Sequence, residues 1–165
     1  MELNSEIKKG KTKISSGDIF KVPLKKGIGY FQFLYKDENY MAGHLIRAFD
    51  CNNDKITLEE LIKCKIKFYT YTRVFEGIKN NLWEKIGHCK VEDNFEPPMF
   101  RQTNDTYSVV KKSNNWFVWQ GDFSDRKVIG ELTKEYINLP FSSIFPPKAI
   151  VEWLETGHHG FKFPD

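Results

Sequence analysis

Apolar and polar residues alternate at period two along many short stretches of this chain, which predicts a fold built mainly from strands. In Ile19 to Leu24, the residues Phe20, Val22 and Leu24 share one face, after a turn at Gly17-Asp18. Pro23 has no amide to donate, so this strand ends there or lies at a sheet edge. Tyr30 to Tyr35 and Tyr40 to Phe49 read as two further strands joined by the polar turn Lys36-Asp37-Glu38-Asn39. Lys65 to Phe75 alternates clearly. Ile66, Phe68, Thr70, Thr72 and Val74 are expected on one face, and Lys67, Tyr69, Tyr71 and Arg73 on the other. Leu82 to Gly87 and Lys127 to Leu132 add strands, and Ser108 to Val110 with Trp116 to Trp119 reads as a hairpin across Ser113-Asn114-Asn115.

Helical signals are short. Thr57 and Glu60 have the spacing of a capping box ahead of the apolar Leu58, Leu61 and Ile62. From Pro146 to Thr156, Ile150, Val151, Trp153 and Leu154 line one helical face, with prolines in the first turn and Gly157 as the stop. The expected fold class is therefore mainly β (α+β): a curled antiparallel sheet or partly open barrel with one or two short flanking helices. Residues 1–16 are polar and lysine-rich and read as a flexible N-terminal arm, and 17–165 as a single strand-rich domain.

Composition changes this picture little. Aromatics make up 15% of the 165 residues, which supports strands, and a net charge of +3 does not by itself imply a nucleic-acid partner. Cys51, Cys64 and Cys89 form no CxxC pair and read as reduced thiols. Without an apolar leader or a run of about 18 apolar residues, a cytoplasmic protein with no membrane partner is expected.

Candidate chemistry is sparse. Asp50, Asn52 and Asp54 alternate as in an EF-hand calcium loop, but Lys55 replaces the turn glycine and Leu61 stands where a bidentate Glu belongs. Neither His44, His88, His158 and His159 nor the cysteines show zinc-ligand spacing. Ser142-Ser143 lacks a glycine-flanked nucleophile elbow. No catalytic, metal or cofactor residue is assigned, and no cofactor is expected. The one candidate surface is the face of Lys67, Tyr69, Tyr71 and Arg73, whose aromatic and basic groups suit a protein interface or, as an alternative, nucleic-acid stacking. A patch of Asp37, Glu38, Glu59 and Glu60 offers a second, acidic surface for a basic partner.

An ordered set of landmarks resembles the immunity protein 26 family. These are Gly17 to Leu24, Gly29-Tyr30, Leu82 to Gly87, Pro98-Met99-Phe100, Trp116 to Gly121, and Glu152-Trp153-Leu154-Glu155-Thr156-Gly157. The resemblance implies a cytosolic antidote that binds and blocks a cognate toxin domain of a bacterial polymorphic toxin system. Because some relatives carry a phosphotriesterase label, it also raises a metal-dependent hydrolase as an alternative. The strand Tyr30-Phe31-Gln32-Phe33-Leu34 and the lysine-rich arm depart from the family pattern.

Overall fold

A computed structural model describes residues 13–165. Most of the N-terminal arm lies outside the described residues. Of its last residues, Ile14 packs on the core and the Ser15 amide donates to Asp18 Oδ2 at 2.7 Å.

Strands β1 (Asp18–Pro23), β2 (Ile28–Lys36), β3 (His44–Phe49) and β4 (Ile66–Thr72) form the centre of an antiparallel sheet. It continues through β5 (Glu84–His88) beside β1 and the two-residue β9 (Ile144–Phe145), which lies parallel to β4. The order β5-β1-β2-β3-β4-β9 leaves two distinct edges, so the sheet is open and no barrel closes. A second sheet has β7 (Trp116–Gln120) between β6 (Phe100–Gln102) and β8 (Asp122–Gly130). The mainly β fold class expected from the pattern is the one observed.

Both faces of the large sheet are covered. Phe20, Val22, Phe31, Phe33, Ile46, Ala48 and Phe68 face the helices α2 (Val74–Lys79) and α3 (Pro147–Thr156). On the other face, Leu34, Leu45 and Tyr71 meet Phe100, Phe117 and Trp119 of the second sheet. Beside them, Ile19, Tyr30 and Phe49 pack on Leu61 of α1 (Leu58–Leu61). Fully burying each such aliphatic or aromatic side chain stabilises the fold by about 1.5–3 kcal/mol.

Local signals explain the elements read correctly. The Thr57–Glu60 capping box is present in both directions, at 3.2 and 2.9 Å. Helix α3 starts with Pro147 at its first position and stops at Gly157, whose φ of 83° suits a residue without a Cβ.

Three expectations are corrected. Tyr40 to Gly43 is loop, because Asp37 accepts the amides of Asn39 and Met41 and turns the chain before β3. Val74 and Phe75 belong to α2, whose first amide is capped by His44 Nδ1 at 3.0 Å. Burial, with Lys36 nearby, holds the His44 imidazole below its ordinary pKa, which keeps that nitrogen free to accept. Finally, β7 pairs with β6 and not with Ser108 to Val110; the intervening loop instead exchanges backbone bonds between Lys111, Ser113 and Asp165.

Candidate interaction surface

The structure does not gather Lys67, Tyr69, Tyr71 and Arg73 on one open face. Pairing between β3 and β4 slips at one point, with Ala48 opposite Phe68 and Phe49 opposite Ile66, so Lys67 is the extra residue of a bulge. The slip reverses the alternation. Ile66 packs with the Phe49 group, while Phe68 faces the helices. Lys67 stays exposed and donates from Nζ to the Leu154 carbonyl at 3.2 Å.

Tyr69 is half-buried opposite Arg47 and lies against Phe95. Tyr71 is fully buried, with its ring 5.3 Å from Phe100 and 6.2 Å from Trp119. Burial, with Tyr35 and Asp37 nearby, pushes its phenol well above the ordinary range. Arg73 is exposed at the start of α2 and pairs with Glu76 at 3.1 Å. The second sheet covers the middle of this face, which period-two patterning alone does not show.

The acidic group is dispersed as well. Asp37 is buried and committed to its loop, and Glu60 to its cap. Glu38 and Glu59 remain exposed on separate segments. Among the described residues no three His, Cys, Asp or Glu side chains converge to hold a metal ion, and no helix is long and apolar enough to cross a membrane.

Two polar clusters are absent from the sequence-based reading. Gln32 and Arg47 sit inside apolar strands, which was their only visible signal. Gln32 is fully buried; its Nε2 donates to the Cys89 carbonyl at 2.7 Å and its Oε1 accepts Arg47 Nε at 2.9 Å. Arg47 also reaches Glu92 at 3.0 Å, so the pair fastens the segment after β5 across the sheet. The second cluster is Asp18, fully buried and held by Lys85 at 3.0 Å, His88 at 2.9 Å and the Ser15 amide.

Burial acts to raise the Asp18 pKa, but the hydrogen bonds from His88, Ser15 and Lys85 outweigh it and hold the carboxyl below its ordinary value of 3.8. A depressed carboxyl binds its proton more weakly in the folded state than in the unfolded one. Its contribution is therefore present above pH about 4 and is lost as the pH falls below that. Urea unfolding between pH 7 and 3 is expected to show a steeper acid loss for the natural protein than for Asp18→Asn. Parallel curves would contradict this.

Concave surface surrounds Lys67. A cavity of about 540 Å³ has Leu24, Phe49 and Leu154 in its wall and carries Lys25, Lys26 and Lys67 together with Asp50 and Glu155. A groove of about 330 Å³ runs past Ile66, Lys67, Phe68 and Tyr69 on one side and Pro98, Pro140 and Trp153 on the other. The ring of Trp153 stacks on Phe68 at 3.8 Å and firms its wall.

The family model described as immunity protein 26 matches residues 15–113, more than half of the chain, and the chain belongs to that family. The matched span holds the six elements from β1 to α2, together with β5 and β6. The tryptophan strand β7 and helix α3 lie outside it. No curated protein and no solved structure matches the chain.

Proposed function

We propose that this protein binds a cognate protein toxin in the cytoplasm and neutralises it by occupancy, without catalysing a reaction of its own. Membership of the immunity protein 26 family carries this reading. The architecture is compatible with it. A well-packed double-sheet scaffold offers a rigid surface, and a rigid surface loses little entropy when a partner docks. A standard interface needs about 800 Å² from each partner, with a few aromatic or basic anchors.

The test is co-expression with the toxin encoded beside this gene. Growth is expected to be rescued, and a stable complex is expected to survive size-exclusion chromatography. Toxicity that persists without any complex would overturn the reading.

A further inference from the structure

We propose that the toxin contributes an extended segment that lies along the open edge of β4 and places an acidic side chain in the lysine-bearing cavity beside it. The proposal rests on the neutralising role above and assigns it a surface. On one side β4 is paired with β3 from Ile66 to Thr72. On the other side β9 reaches only Tyr71 and Thr72. Among the described residues, the outer edge from Ile66 to Thr70 therefore has no strand beside it, and its backbone groups need partners.

The 330 Å³ groove lies along that edge. Ile66 and Tyr69 pack on one face of the sheet and Phe68 on the other, with the bulged Lys67 between them. Four in a row border one groove where the groove follows the strand's edge. Its lining also includes Pro98 and Pro140, which have no amide to donate, and Asn138, and none of the three is paired with β4 in a ladder. A partner's extended backbone can complete the ladder by strand addition, with Tyr69 and the Phe68–Trp153 stack beside it as apolar contacts.

Charge selects the occupant. Lys67 borders both the groove and the larger cavity, where Lys25 and Lys26 join it. The cavity wall carries three lysines against two carboxylates, Asp50 and Glu155, which leaves one positive charge in excess. An acidic partner residue meets complementary charge in this cavity. A second copy of this chain fits poorly, since a twofold pairing of β4 edges would set the lysines against one another. The long edge strand β8 is a weaker candidate. Its register against β7 breaks twice, where β4 has the single bulge at Lys67, and Asp125, Arg126 and Lys127 follow one another along it, so its edge is the more blunted of the two.

The experiment uses the full chain and a catalytically disabled form of the toxin domain encoded beside it. Hydrogen exchange of outward-facing amides within Ile66–Tyr69 is expected to slow tenfold or more on complex formation. Lys25 and Lys26 are exposed, so Lys25→Glu/Lys26→Glu is expected to keep its melting temperature. That variant should associate with the toxin about tenfold more slowly at low salt, with the difference shrinking as salt is added. A complex that protects only other segments, such as Asp122–Gly130, or that forms equally fast with the double variant, overturns the surface and leaves the neutralising role standing. Failure of the natural protein to form any complex overturns the role and the surface together.

Discussion

Arg47→Ala is expected to lower folding stability by about 3 kcal/mol, mainly because it strands a buried amide. Arg47 is 6% exposed, and its guanidinium lies 6.0 Å from the ring of Phe49 and 5.8 Å from that of Phe95. Truncation to alanine leaves a hole between these rings and removes the donor from Gln32 Oε1, which no water reaches. The ion pair itself counts for less. The Glu92 side chain is half exposed, so solvent screens it and replaces its partner, and Glu92→Gln is expected to cost under about 1 kcal/mol. Arg47→Met separates the two larger effects, since it refills the hole but still leaves Gln32 without its donor. Urea midpoints for the three variants decide the matter. If Arg47→Met is as stable as the natural protein, the stranded amide is not the source of the loss.

What could be read from the sequence follows the range of each signal. Phe20 and Val22 marked the inner face of β1, with Leu24 packing on the core just past it, and Pro23 marked its end, because those constraints act within a few residues. The Thr57–Glu60 box and the Pro147-to-Gly157 helix were legible for the same reason. Partners distant along the chain were not. Alternation through Lys65 to Phe75 predicted a face of four residues, yet the slip opposite Ala48 and Phe49 is a property of the β3–β4 pair and leaves no mark in β4 alone. Tyr71 looked available because nothing near it in sequence shows that Phe100 and Trp119 will cover it. Arg47 and Gln32 were visible only as polar residues in apolar strands; their connection depends on two strands and on the segment after β5. The groove along β4 likewise exists because β9 is only two residues long, and the pattern before Pro146 does not announce how short it is.

Gly77→Ala is expected to destabilise the protein by about 3 kcal/mol or more, against the direction that helix propensity gives. Within a helix, alanine is favoured over glycine by about 1 kcal/mol. Gly77 lies in α2, so an exposed site there would gain from the change. Here a Cβ would fall 1.9 Å from Trp83 Cζ2 and 2.0 Å from Cε2, well inside contact distance. The indole has little freedom to yield. It is 3% exposed, its Nε1 donates to the Val74 carbonyl at 3.0 Å, and it meets the ring of Phe31 edge-on at 5.0 Å. Relief requires either moving α2 off the sheet or breaking that hydrogen bond, and overpacking of this kind commonly costs about 1–3 kcal/mol before a buried donor is lost as well. A double-mutant cycle with Trp83→Leu tests the cause. With the indole gone, Gly77→Ala is expected to become neutral or mildly stabilising, as propensity dictates. If alanine at 77 is as costly beside Leu as beside Trp, the clash with Trp83 is not what requires glycine there.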